Sequence, residues 1–207
     1  MDGKIPMNAL QRLPMYLHVL KDHRRAGRTH TSSSAVAAQL GLTEIQVRKD
    51  LALVSKAGRP KVGYVLEELI ADIEKALGCD NIHDAVLIGA GRLGRALMEY
   101  SGFREYGVNI VAGFDEDERC CTTGGEKPVY PMERLQRFCA RRKIRLGIIT
   151  VPAQQAQDVC DRLVEAGVTA IWNFAPVHLC TPEHILVKNE DMAASLAVLS
   201  YHLTAKL

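Results

Sequence analysis

The sequence predicts an α/β chain in two parts: a small helical front unit, then a larger unit in which strands and helices alternate. Three observations carry that prediction. Helix-length segments with caps and glycine stops fill residues 8–54, whereas apolar runs of strand length recur from Ala85 onward. The run Ala85-Val86-Leu87-Ile88 ends in Gly89-Ala90-Gly91-Arg92-Leu93-Gly94, a G-x-G-x-x-G spacing between a strand and a helix. Charge divides along a similar line: residues 1–64 carry 11 Lys/Arg against 4 Asp/Glu, and residues 65–207 carry 15 against 20. A basic segment favours phosphate backbones and anionic surfaces, which an acidic one repels, so the two parts look built for different partners.

In the front unit, Leu10, Leu13, Leu17 and Leu20 recur at three- and four-residue steps and predict an amphipathic helix from Asn8 to Arg25, ended near Gly27. Thr31-Ser32-Ser33-Ser34 offers N-caps for a short helix, Ala35 to Leu40, stopped by Gly41. Thr43-Glu44-Ile45-Gln46 is a capping-box pattern that opens a third helix, Glu44 to Val54. The two short helices, joined by Leu40-Gly41-Leu42, have helix-turn-helix spacing. On the third helix Val47, Leu51 and Val54 share one face, which predicts burial, while Gln46 and Lys49 point away and Arg48 lies on the flank. Glutamine can read adenine edges, and lysine or arginine can contact guanine or phosphate, so Gln46, Arg48 and Lys49 are candidate DNA-binding residues. Asp50 would repel phosphate and is expected to orient a neighbouring arginine instead.

From Lys56 to Tyr64, two glycines and a proline bracket two cations. That composition suits a wing laying Arg59 and Lys61 beside the minor groove or backbone, and it suits an ordinary basic turn as well. Val65 to Leu77 predicts a further helix, stopped by Gly78, that links the two units.

Behind Asn81, strands are expected at Ala85–Ile88, Val108–Phe114, Leu146–Val151 and Thr169–Phe174, with a short one near Val129. Helices are expected at Gly91–Tyr100, Met132–Arg142 and Gln154–Ala166. This alternation predicts a Rossmann-like parallel sheet with helices on both faces. Gly89 permits a tight turn, Gly91 lets a pyrophosphate approach the helix N-terminus, and Gly94 allows close helix–sheet packing; Ala90, Arg92 and Leu93 complete the loop. Asp115, at the end of the next strand, is placed to accept hydrogen bonds from adenosine ribose hydroxyls. Glu116 and Asp117 beside it would repel a 2′-phosphate, which favours NAD(H) over NADP(H). Val151-Pro152-Ala153 and Asn173-Phe174-Ala175-Pro176 fall at carboxyl ends of strands, where open α/β sheets bind ligands, and are candidate cofactor walls. Asp191 to Leu207 predicts a last helix with Met192, Leu196, Leu199 and Leu203 on one stripe, able to pack on its own domain or on a second subunit.

No apolar run approaches the roughly 18 residues of a membrane helix. The N-terminus lacks the apolar core and cleavage site of a secretion signal, so the expected compartment is cytoplasmic. Cys79, Cys120, Cys121, Cys139, Cys160 and Cys180 form no C-x-x-C pair and no Cys/His grouping with zinc spacing. No metal is expected, and the cysteines read as reduced thiols, with adjacent Cys120-Cys121 the pair that could sense oxidants.

No catalytic residue is assigned. His83, His178, His184 and His202 have no triad-like setting, and no Tyr-x-x-x-Lys pair occurs. Hydride chemistry would leave the basic front unit without a role, whereas a regulator uses both units. NADH and NAD+ form a natural pair of effectors: the reduced ring is neutral, the oxidised ring cationic, and a closed apolar pocket penalises the cation. The alternatives are a small NAD-dependent oxidoreductase and a CoA-ligase-like nucleotide-binding subunit. The latter would want a phosphate-carrying histidine in a glycine-rich setting, which His178 and His184 lack.

Val47-Arg48-Lys49-Asp50-Leu51, Val62-Gly63-Tyr64, the Gly89–Gly94 turn, Tyr100-Ser101-Gly102-Phe103, Val151-Pro152-Ala153 and Asn173-Phe174-Ala175-Pro176 stand in the order seen in the Rex family. The chain thus resembles these redox-sensing transcriptional repressors of bacteria over nearly its whole length. The resemblance implies a homodimer with an N-terminal winged helix-turn-helix DNA-binding domain and linker helix (1–80), a Rossmann NAD(H)-binding domain (81–188) and a swapped C-terminal dimerisation helix (189–207). It also implies repression at palindromic double-stranded operator DNA, with release when NADH binds. By the same resemblance, Tyr100 and Asp191 of the partner subunit couple the nicotinamide pocket to the hinge, and Met192 of the partner subunit lies near the nicotinamide. His18 stands where family members often carry an arginine, so an ion pair with Asp191 would depend on pH or be absent.

Overall fold

The computed structural model describes residues 5–204 except 60, 61, 123 and 125. The chain divides into two compact units, Met1–Asn81 and Ile82–Leu207. The front unit is a winged helix-turn-helix. It contains α1 (Met7–Arg25), β1 (His30–Thr31), α2 (Ser33–Leu40), α3 (Glu44–Val54), β2 (Tyr64–Val65) and α4 (Leu66–Leu77). Helix α1 runs through Pro14, where one backbone hydrogen bond is missing, because Leu13, Tyr16, Leu17 and Leu20 are all fully buried along its inner face. Helix α2 starts two residues before the expected Ala35, since the Ser32 hydroxyl accepts from Ala35 N at 3.1 Å. Gly41, in the left-handed region at φ 65°, ends it. Thr43 caps α3 by accepting from Gln46 N at 3.3 Å.

Val47 and Leu51 enter the same core as Leu66 and Leu69 of α4. Between α3 and α4 the chain turns back on itself: Arg59 and Gly63 exchange backbone hydrogen bonds of 2.8 and 2.9 Å, and β2 pairs antiparallel with β1. Gly63 sits at φ +84°, and a Cβ there would stand 2.2 Å from the Thr31 carbonyl oxygen, so only glycine fits. Arg59 and Gly63 thus close a tight backbone turn ahead of β2, a geometry that suits a wing and a basic turn alike. Lys61 lies outside the described residues.

The back unit is a parallel sheet of six strands in the order β5-β4-β3-β6-β7-β8. These are β3 (His83–Ile88), β4 (Val108–Asp115), β5 (Val129–Pro131), β6 (Leu146–Ile149), β7 (Ala170–Asn173) and β8 (Leu186–Asn189). The helices are α5 (Arg92–Glu99), α6 (Leu135–Arg142), α7 (Ala153–Glu165) and α8 (Met192–Thr204). Side chains of β3 alternate between two cores: Val86 and Ile88 pack with α6 and α7, Ala85 and Leu87 with Met98 of α5. A strand buried on both faces reads as a continuous apolar run, which is why Ala85–Ile88 shows no alternation. Strand β8 falls in a segment with no strand signal, because it is a short edge strand with Leu186, Lys188 and Asn189 exposed. The order reverses between β3 and β6, which puts a crevice at the carboxyl ends of those two strands.

One charged residue anchors α3. Asp50, 6% exposed, accepts from Arg12 Nε at 2.7 Å, from Arg12 Nη2 at 2.9 Å and from the Tyr16 hydroxyl at 2.7 Å. Burial alone would raise its pKa; the bonds from Arg12 and Tyr16 outweigh that and hold the carboxyl below the usual carboxylate range. Burial and the Asp50 bond push Tyr16 up to about 12. A depressed carboxyl stabilises the fold above its unfolded pKa of about 3.9 and loses that contribution as pH falls through the lower folded value. Asp50→Asn is therefore expected to lose about 3 kcal/mol at neutral pH. It should also show a smaller further loss below about pH 4 than the unsubstituted chain. Urea melts of both at neutral and acid pH check this; parallel losses would mean that another group controls acid stability.

Candidate functional site

At the crevice, the chain passes from β3 into α5 through Gly89, Ala90 and Gly91. Gly89 has φ +97°, and its N–H donates to Phe114 O at 2.8 Å. A Cβ on Gly94 would stand 2.0 Å from Gly89 O and 2.9 Å from Leu87 Cδ2, so α5 lies against the turn at backbone distance. A Cβ on Gly91 would meet nothing within 4 Å. The three glycines thus differ physically: one sets the turn, one the packing, and one leaves open space. Thr150, after β6, closes the turn from the other side: its N–H donates to Ile88 O at 2.9 Å, and its hydroxyl lies 3.0 Å from Ile88 O and 2.8 Å from Gly89 O. Arg95 Nε donates to Ala90 O at 3.0 Å.

A cavity of about 250 Å³ opens at this place. Gly89, Gly91, Asp115, Val151 and Pro152 line it, joined by Met132, Thr150 and Gln155. Met132 and Gln155 were not among the expected site residues; they come from the starts of the segments after β5 and β6, and strand-end geometry is the only signal that could place them. Asp115 accepts from Ala90 N at 2.7 Å through Oδ2 and from Asp117 N at 2.9 Å through Oδ1. Each carboxylate oxygen keeps a further lone pair for a ligand hydroxyl. Ala90 and Gly94 are buried behind the cavity, while Arg92 is exposed, Leu93 is half-buried, and Ala153 begins α7.

The Asn173–Pro176 turn is not part of the lining of this cavity. Asn173 is fully buried, its amide nitrogen donating to Ala175 O, Val177 O and Asn189 Oδ1 at 2.9–3.1 Å. Its side chain holds the 174–177 turn from behind and does not reach the cavity. Ala175 and Pro176 instead line a separate depression of about 190 Å³ with His178, Glu190 and Asp191. Phe174 joins an aromatic chain, packing at a tilt against Trp172 with centroids 4.5 Å apart, with Trp172 at 5.5 Å from Phe103 and Phe103 at 4.9 Å from Tyr100. Tyr100 is exposed, and its ring passes so near Gly102 that a Cβ there would lie 2.6 Å away. Asp191 accepts from Ala194 N at 2.8 Å at the head of α8, and Met192 is exposed. His18 is exposed on α1, 3.6 Å from Asp22.

On α3, Arg48 and Lys49 are exposed and Gln46 is half-buried. Arg48 and Arg59 border one groove with Ser32, Ser34, Glu44 and Gly63, so α3, the start of α2 and the turn closed by Arg59 and Gly63 share a face. Glu44 is the carboxylate on that face; Asp50, in the middle of the helix, is turned inward onto Arg12 and leaves Arg48 and Lys49 outward. Among the cysteines, burial pushes Cys139 and Cys160 up to about 11, and burial with the nearby Asp115 charge raises Cys121. A raised thiol pKa keeps these groups protonated and unreactive. Among the described residues no group of His, Cys, Asp and Glu has the arrangement of a metal site, and no helix is long and apolar enough to cross a membrane.

A winged helix followed by a dinucleotide-type sheet is the architecture of a ligand-responsive transcription regulator. Two family models match the chain: a putative DNA-binding protein N-terminus over residues 4–52 and a CoA binding domain over residues 80–177. The redox-sensing transcriptional repressor Rex of Pelotomaculum thermopropionicum is 42% identical over 98% of this chain and 96% of its own. That of Carboxydothermus hydrogenoformans is 42% identical over 97% of each. The crystal structure of RSP in complex with beta-NAD+ and operator DNA superposes with a TM-score of 0.92 at 34% identity, covering 99% of this chain and 95% of that one. RSP in complex with beta-NADH gives 0.88 at 33% identity, over 99% and 97%. The chain belongs to the Rex family. It is a redox-sensing transcriptional repressor and not an enzyme, so the oxidoreductase and CoA-ligase-like alternatives fall away.

The glycine geometry separates two substitutions. Gly94→Ala drives a Cβ into the Gly89 carbonyl and is expected to lower the melting temperature by roughly 2–10 °C. Gly91→Ala points into open space and should melt within about 2 °C of the unsubstituted chain. Equal melting temperatures for the two variants would mean that α5 can move off the turn at no cost.

Proposed function

We propose that this repressor binds palindromic double-stranded operator DNA and leaves it when NADH occupies the cavity at the glycine turn, so that its occupancy follows the NADH/NAD+ ratio. One observation carries the reading: Gly91 and Asp115 face one open cavity, the first leaving room for a pyrophosphate and the second presenting free carboxylate lone pairs. The first-turn N–H groups of α5, from Arg92 and Leu93, suit the pyrophosphate, and Asp115 suits the adenosine ribose. Bound NAD(H) supplies a ring whose charge differs between its two redox states. Val151, Pro152 and Ala153, with the Asn173–Pro176 turn held by Asn173, form the walls toward that ring. The relation to RSP, crystallised with NADH and with NAD+ and operator DNA, supports both halves of the proposal.

In the DNA-bound state Gln46, Arg48 and Lys49 read the major groove, and Arg59 and Lys61 of the wing lie on the backbone or minor groove. Residues 1–80 form the DNA-binding domain with its linker helix, 81–188 the nucleotide domain and 189–207 the dimerisation helix. The exposed Met192, Leu196 and Leu203 of α8 support a homodimer in which that helix crosses to the partner. His18, Tyr100, Asp191 and Met192 then couple ring pocket to hinge. The protein works in the cytoplasm and uses no metal.

The test is fluorescence anisotropy of a labelled palindromic operator at fixed salt, with NADH or NAD+ added. NADH should release the DNA and NAD+ should not. Gly91→Val and Asp115→Ala should bind operator and ignore NADH, whereas Lys49→Ala should weaken operator binding by about 10- to 100-fold. Operator binding that ignores both nucleotides would end the redox reading, and normal binding by Lys49→Ala would move the reading surface off α3.

A further inference from the structure

The back unit is nearly neutral in sum, but its cations are concentrated in one place. Residues 82–207 carry 14 Lys/Arg and 15 Asp/Glu, yet residues 134–145 hold six of those cations and no carboxylate. Arg134, Arg137, Arg141 and Arg142 surround a concave surface of about 610 Å³ on α6, with Tyr130 and Phe138 as its floor. Two of the guanidiniums lie over these rings: Arg134 at 5.7 Å from the centroid of Tyr130, and Arg142 at 5.4 Å from that of Phe138. Tyr130 and Phe138 are themselves fixed, 5.7 Å apart and both against buried Phe114. A ring beneath a guanidinium restricts its rotamers and leaves the N–H edge facing outward.

Neither fold nor redox function explains this cluster. Arg142 pairs with Asp84 at 3.5 Å, but among the described residues no ion pair holds Arg134, Arg137 or Arg141. Cations in the last turn of a helix are favoured by its dipole, which accounts for Arg141 and Arg142. Arg134 and Arg137 stand at the other end of α6, where the dipole opposes them, and the 137/141 pair repels at i, i+4. Such an arrangement is relieved by an anion.

We propose that this surface is a second effector site, which binds a small polyphosphate anion, either a nucleoside polyphosphate or free polyphosphate. The cleft is of the size that holds small ligands, about 300–1,000 Å³. Its concavity favours a compact anion over an extended strand. Arginine forks match phosphate oxygens two at a time, and several forks converging within one cleft match adjacent phosphates of a chain.

Isothermal titration calorimetry on the full chain, presaturated with NADH, tests this with tripolyphosphate, ATP and adenosine as probes. The expected result is one site per chain for tripolyphosphate or ATP, no binding of adenosine, and at least a tenfold loss in Arg134→Gln/Arg137→Gln. Binding of ATP alone assigns the site to nucleotides; binding of both assigns it to the phosphate chain. Gly91→Val, titrated without NADH, should keep the site, which separates it from the proposed cofactor cavity. Should the double variant melt early, Arg141→Gln takes its place with the same expectation. Absence of binding, equal binding of adenosine, or a loss seen in Arg48→Gln/Lys49→Gln and not in the α6 variants would overturn the proposal.

Discussion

The back unit depends on one close approach, that of Gly94 in α5 to the carbonyl of Gly89. Because no side chain intervenes, the helix N-terminus stands at the point where strand order reverses. Its unsatisfied N–H groups therefore face the crevice and not the top of the sheet. Three further contacts hold that turn: Thr150 just after β6, Asp115 from β4 and Arg95 from α5 itself. The cavity is what remains when a helix is brought to a strand at backbone distance, its wall on one side a carboxylate and on the other the Val151-Pro152 turn.

The front unit solves the opposite problem, that of keeping a negative charge away from DNA. Asp50 sits between exposed Lys49 and buried Leu51, and its burial would be unfavourable without a partner. The fork of Arg12 and the hydroxyl of Tyr16 supply three bonds, so the carboxylate fixes α3 against α1 and leaves the outward face cationic. One residue thereby both fixes α3 against α1 and removes a negative charge from the outward face of that helix.

The glycines of the turn and the leucine spacing of α1 were legible in the sequence, because each expresses a local rule: backbone clearance in one case, helical period in the other. That Asp50 would orient an arginine was legible too, but Arg12, 38 residues away, was not, since only tertiary packing joins them. Strand β8 escaped because an exposed edge strand carries no apolar alternation. Asn173 could be placed at a strand end, yet its inward amide network required the positions of Val177 and Asn189. The arginines of α6 vanish when charge is summed over the whole back part, where surrounding carboxylates cancel them.

A redox sensor must distinguish two ligands that share adenosine, both riboses and the pyrophosphate. Contacts to those parts add equally to the binding of either and shift no equilibrium, however strong they are. Under the proposed reading, Gly91 and Asp115 supply affinity without discrimination. The difference has to arise where the two rings differ in charge, beyond the pyrophosphate. There the chain offers the Asn173–Pro176 turn, the depression shared by Ala175, Pro176 and Asp191, and the aromatic row from Phe174 to Tyr100. These groups belong to β7, to the segment before α8 and to the end of α5, and α8 leaves its apolar residues Met192, Leu196 and Leu203 open in the single chain. A ring-dependent change at Asp191 is thus placed at the root of the helix proposed to join two subunits. Under that reading affinity sits on the rigid turn, and discrimination sits beside the helix proposed to join two subunits.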